Sequence, residues 1–101
     1  MPSYTSQNLP VAETVSTSAL SLSDAGYSAA QIAGAYKLEV SASQPCRYLF
    51  GDTPTATYGH IIEADQEPVV FDDEDFGSFS IVREGASDAA VTYVLSTFVE
   101  V

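Results

Sequence analysis

Four consecutive acids, Asp72-Asp73-Glu74-Asp75, form the densest set of potential ligands in the chain. Calcium is held by carboxylate and carbonyl oxygens, and neighbouring acids in a loop can supply several. This spacing lacks the alternating ligands and the closing glutamate of an EF-hand loop. Adjacent acids also diverge on an extended backbone. A solvated charged turn is therefore expected, with a loose calcium site or contact with a basic partner as the other uses of these charges.

His60 is the only histidine and Cys46 the only cysteine, which leaves a tetrahedral zinc site short of ligands. Serines and aspartates abound, but no Gly-x-Ser-x-Gly elbow occurs. Paired carboxylates of the glycosidase kind could be drawn from the fourteen acids, yet no tryptophan platform accompanies them. No glycine loop for phosphate is present. Cys46 cannot form an internal disulfide and, within the run Cys46-Arg47-Tyr48-Leu49-Phe50, reads as a small buried hydrophobe. No residue earns a catalytic, cofactor-binding or metal-binding role. Neither an enzyme activity nor a cofactor is expected.

Six tyrosines and five phenylalanines exceed what a core of this size needs. Phe50, Phe71, Phe79 and Tyr93 fall at inward positions. Tyr4, Tyr27 and Tyr58 fall in loops or the N-terminal arm. Exposed tyrosines suit protein interfaces and sugar-binding surfaces.

The elements that hold these residues are short and β-prone. Residues 1–17 are polar, rich in Ser and Thr, and carry Pro2 and Pro10. They read as an extended N-terminal arm or edge segment, with residues 18–101 as a single β domain. Ala19 to Ser23 alternates like a strand. Ser28-Ala29-Ala30-Gln31 fits a capping box for one short helical turn. In Tyr36 to Ala42, Tyr36, Leu38 and Val40 share one face, and Lys37, Glu39 and Ser41 the other. Cys46–Phe50, Ala56–Tyr58, His60–Ala64, Glu67–Phe71 and Ser78–Arg83 read as further strands or extended pieces. One or two final strands follow from Ala90, with Val91, Tyr93 and Leu95 inward. Six to eight short strands between Gly, Pro and Asp turns predict an all-β fold. Its form is an antiparallel β-sandwich, jelly-roll-like, or a small barrel.

Fourteen acids against three bases give a net charge of −11 on 101 residues, while 46% of residues are hydrophobic. The negative field opposes phosphate backbones and anionic membranes, so neither nucleic acid nor a membrane is an expected partner. The apolar content separates the chain from acidic disordered tails. Met1-Pro2-Ser3-Tyr4 lacks the basic and apolar start of a secretory signal, and synthesis as a soluble cytoplasmic product is expected.

The stretch Tyr48-Leu49-Phe50-Gly51-Asp52-Thr53-Pro54-Thr55-Ala56-Thr57-Tyr58-Gly59-His60 is followed by Glu67-Pro68-Val69-Val70-Phe71, Phe79-Ser80-Ile81-Val82-Arg83-Glu84-Gly85 and Asp88-Ala89-Ala90-Val91-Thr92-Tyr93. From Tyr36 to Leu95, this path resembles small tailed-bacteriophage virion proteins of the head decoration, cement or minor structural type. The resemblance implies a non-enzymatic structural protein of the virion, made in the host cytoplasm. Such a protein forms homo-oligomers and binds the major capsid protein or another virion protein. An arm that adds a strand to a neighbour's sheet would supply main-chain hydrogen bonds. Many weak contacts on a shell would add up through avidity. The alternative is a carbohydrate- or receptor-binding β-sandwich of a phage tail or fibre, with Tyr27 and Tyr58 as its platform. A third class is an enzyme, or an acidic inhibitor that mimics nucleic acid.

Overall fold

The computed structural model describes residues 3–100. Eight strands form two four-stranded sheets. They are β1 (Tyr4–Val15), β2 (Leu20–Ser21), β3 (Ala35–Ala42), β4 (Cys46–Phe50), β5 (His60–Ile62), β6 (Val69–Asp72), β7 (Phe79–Arg83) and β8 (Ala89–Glu100). One sheet has the order β1-β8-β3-β6 and the other β2-β7-β4-β5. All strand pairs are antiparallel, and the pairs β1–β8, β2–β7, β3–β6 and β4–β5 are all present. Those four pairs are the rungs of one long ribbon folded over on itself, which is a jelly roll. The fold is a β-sandwich and not a closed barrel.

β8 is the spine of the first sheet, because its inward residues Ala89, Val91, Tyr93 and Leu95 are all fully buried. β1 covers one side of it for twelve residue pairs, from Val15↔Ala89 to Tyr4↔Glu100. β3 covers the other side from Ala42↔Val91 to Ala35↔Thr97. Facing them, Cys46, Ile62, Phe79 and Ile81 close the core from the second sheet. Each large apolar side chain so buried contributes roughly 1.5–3 kcal/mol relative to exposure. Tyr48, Phe50, Phe71, Phe76, Phe79 and Tyr93 form a continuous series of ring contacts with centroids 4.9–6.4 Å apart.

Between β1 and β2 the chain crosses from one sheet to the other, held at the corner by a hydrogen bond from Arg83 N to Ser16 O (3.1 Å). Two short helices, α1 (Leu22–Ala25) and α2 (Ala29–Ala33), bridge β2 and β3. The Ser28–Gln31 capping box forms as the sequence predicts, with Gln31 N donating to Ser28 Oγ and Ser28 N to Gln31 Oε1. A second box, Ser21–Asp24, starts α1 at Leu22, within the Ala19–Ser23 stretch expected to be a strand. Only Leu20 and Ser21 remain extended there. Leu20 and Leu22 mimic strand alternation, but the serine and aspartate three apart cap a helical turn and override it.

Two further expectations change. Tyr36 does not share the inward face of Leu38 and Val40. An irregularity between Ala35 and Lys37 rotates it outward, where its ring stacks on Phe98 at 4.4 Å and its hydroxyl meets Ser6 Oγ. Ala56–Tyr58 is a turn closed by a Thr55↔Tyr58 bridge, not a strand. The stretch that reads as an extended arm or edge segment, residues 1–17, holds β1 from Tyr4 to Val15, an edge strand on the chain's own sheet.

Candidate functional site

The acids Asp72 to Asp75 leave the end of β6 and are all exposed. Asp73 adopts a left-handed backbone (φ +53°) and its N–H donates to Tyr36 O. Asp75 offers its carbonyl to both the amide and the hydroxyl of Ser78, which starts the 3-10 turn Phe76–Ser78. Among the described residues, no three His, Cys, Asp or Glu side chains converge in a way that could hold a metal ion.

His60 lies exposed on β5 beside the Tyr48 ring, with centroids 5.5 Å apart. Cys46 is fully buried, its thiol reaching Gln44 O at 3.5 Å. Burial, and then the nearby Glu84 charge, push this thiol up to about 11, so it stays protonated and a poor nucleophile.

The two tyrosines expected to form a sugar platform are not brought together. Tyr27 is a core residue, only 4% exposed, and its hydroxyl donates to Leu9 O of β1. The short α1–α2 connection turns it inward, where β1 supplies an acceptor for the buried hydroxyl. Tyr58 is exposed and donates to Asp52 Oδ2 at 3.0 Å within the β4–β5 loop. The side chain of Tyr4 lies outside the described residues. An open groove of about 480 Å³ lies between Ser41, Ser43, Asp65, Gln66, Ala90 and Thr92. Two of its polar groups already hold its walls: Ser43 Oγ accepts from Ala90 N, and Gln66 Oε1 from Glu63 N.

Two interactions had weaker signals in the sequence. Arg47 donates from Nε to Ala56 O (3.1 Å) and from its terminal nitrogen to Gly59 O (2.8 Å), while Glu84 lies 3.4 Å from Nε. It thereby fastens the β4–β5 loop to β4. One arginine inside an apolar strand was its only trace. Glu13 points inward from β1 and accepts from the buried Tyr93 hydroxyl at 2.6 Å. Its mark in the sequence is an acid in register with Leu9, Val11 and Val15. Burial holds the Glu13 carboxyl above its ordinary value, although the Tyr93 hydrogen bond acts the other way.

The candidate site is therefore a surface rather than a pocket. The outer face of the first sheet presents Asn8, Pro10, Ala12 and Thr14 from β1 beside Thr92, Val94 and Phe98 from β8. The charged groups on β3 in this face are Lys37 and Glu39, which pair with each other at 3.5 Å. Phe98 and Val70 are 54% and 48% exposed there. The acids collect elsewhere: seven of the fourteen lie between Glu63 and Asp75, around β6 and the loop before it, with no base among them. From Ser3 to Thr17 the one charged residue is Glu13, and it faces the core.

No family model, curated protein or solved structure matches the chain.

Proposed function

We propose that this chain is a non-enzymatic structural protein of a tailed-bacteriophage particle. In this reading it is a decoration or cement module that binds the major capsid protein or another virion protein and assembles with copies of itself. The observation that carries the reading is the uneven distribution of charge. A body of net charge −11 keeps the β1 edge and the outer face of β1 and β8 as far as Phe98 free of charge, while Lys37, Glu39 and Asp72 lie further across the sheet and half of the acids crowd the β6 side. Such a surface can approach protein without a desolvated charge, and the acidic rim keeps particles apart. Jelly rolls recur in viral shells, though also in lectins and cupins, so topology supports the reading only as analogy.

The test is mass spectrometry of particles purified from the phage whose genome encodes the chain. Copies in numbers comparable to shell subunits are expected, and absence from the particle overturns the proposal. The rival, a carbohydrate- or receptor-binding module of a tail or fibre, loses one of its two tyrosines to the core. Glycan binding that disappears in Tyr58→Ala would favour it instead.

A further inference from the structure

We propose that the free edge of β1 pairs antiparallel with the same strand of a second copy, about a two-fold axis at Ser6. The first sheet then runs on from four strands to eight. This deepens the assembly role proposed above and rests on it for its biological use, while its physical basis is the edge itself.

The sandwich has four edges. β2, β5 and β6 are two, three and four residues long, and β6 carries the acidic rim, with Pro68 immediately before it. Short strands, charges and prolines are what keep an edge from recruiting another strand. β1 is twelve residues long and lacks the first two of these protections. The only charge on it is Glu13, turned away from the edge.

The direction of its backbone groups follows from the register. Ser43 N donates to Ala90 O, so the even-numbered residues of β8 bond towards β3 and the odd-numbered ones towards β1. Opposed residues in β1 and β8 have the same parity, as in Leu9↔Leu95. Hence Leu9, Val11 and Glu13 bond to β8, whereas Tyr4, Ser6, Asn8, Ala12 and Thr14 aim their amides and carbonyls at the free edge. Pro10 shares that outward set. It costs the internal ladder nothing, but it interrupts what the edge can offer.

Pro10 also selects the register. An axis at Pro10 would oppose two residues without an N–H at the centre of the contact. An axis at Ser6 opposes Ser6 with Ser6, and Tyr4 with Asn8 in both directions, giving roughly six main-chain hydrogen bonds and leaving Pro10 outside. Two copies of net charge −11 repel across most other surfaces, so this uncharged edge is where a second copy can approach. Here they meet through uncharged serine, threonine, glutamine and asparagine.

Ser6→Lys tests the register, since it sets two lysines directly opposite each other on one face. Light scattering coupled to size exclusion, over a range of concentration and salt, should show a wild-type dimer strengthened by salt. Ser6→Lys should weaken it by about ten-fold or more, although the substitution lowers the net negative charge and would by itself favour association. Ser6→Glu should weaken it too, and mixing the two variants should restore a heterodimer. Ser6→Pro removes an outward amide and should weaken the dimer. Within the chain it loses the Ser6–Tyr36 hydroxyl contact but no β1–β8 ladder bond, so its melting temperature should fall less than that of Gln7→Pro. Gln7→Pro breaks the β1–β8 ladder and should lower that temperature. A wild-type monomer under all conditions overturns the pairing, as does a dimer indifferent to every Ser6 substitution. A monomer abundant in virions would overturn this inference and leave the proposed function standing. A dimer with the predicted Ser6 behaviour that is absent from virions would do the reverse.

Discussion

At the scale of single residues, the Glu13–Tyr93 contact is the most informative. A carboxylate half-buried beneath a strand is costly to ionise, and its hydrogen bond with Tyr93 offsets only part of that cost. Its protonation value is raised in the folded chain. The native state therefore binds more protons than the unfolded state between the two carboxyl values. Stability contributed by this site falls as pH rises through that window, and the loss is complete above the folded value. Glu13→Gln should show a higher urea midpoint at neutral pH than the wild type and a weaker dependence of that midpoint on pH below it. Tyr93 retains an acceptor in this variant. Cys46 gives a second expectation at this scale. Its buried, protonated thiol should resist alkylation in the native protein at mildly alkaline pH and react once urea unfolds the chain. Rapid labelling of the native form would show that the thiol is accessible.

At the scale of elements, the β4–β5 loop shows how one backbone position and one side chain hold a segment in place. Gly59 has φ +131°, and a Cβ there would lie 3.0 Å from Tyr48 O and 3.3 Å from Pro54 Cβ. Both the left-handed backbone and the close approach favour glycine. Gly59→Ala should lower stability by about 1–2 kcal/mol or more, read from chemical denaturation. It should also loosen the carbonyl that Arg47 grips, read as faster amide exchange from Thr53 to Gly59. The loop's turn character was legible in Gly51, Asp52 and Pro54. Its fastening to Arg47 was not, because a backbone carbonyl leaves no mark in residue type. The same distinction holds at α1, where Ser21 and Asp24 carried the capping signal that the Leu20–Leu22 alternation obscured.

At the scale of the whole molecule, β1 decides whether the sandwich is complete. It pairs with β8 along its full length and covers one side of the buried Tyr93 and Leu95 positions. A chain lacking residues 1–17 loses Val15 from the core, Leu9 and Val11 from its margin, the acceptor for Tyr93 and the acceptor for Tyr27. That loss should abolish cooperative unfolding or lower the melting temperature sharply, measured by circular dichroism. A truncated chain that unfolds cooperatively at the wild-type temperature would mean that β1 is dispensable to the body. Because deletion removes fold and edge together, single substitutions at Ser6 are the cleaner probe of assembly.

The sequence by itself determined the all-β class, the inward faces at Leu38 and Val40, at Phe79 and Ile81, and at Val91, Tyr93 and Leu95, and the cap at Ser28. These signals are local: a side chain's face depends on residues two away, and a cap on residues three away. Only the tertiary structure decided that residues 4–15 lie on β8, that Tyr27 enters the core, that Tyr36 turns outward, and that Glu13 meets Tyr93, eighty positions distant. Strand partners are chosen by the combined fit of distant segments and by the sheet each segment completes. Neither is written in the neighbours of any one residue. Long and short edges became visible only once the partners were known, and with them the one edge left open to a second copy.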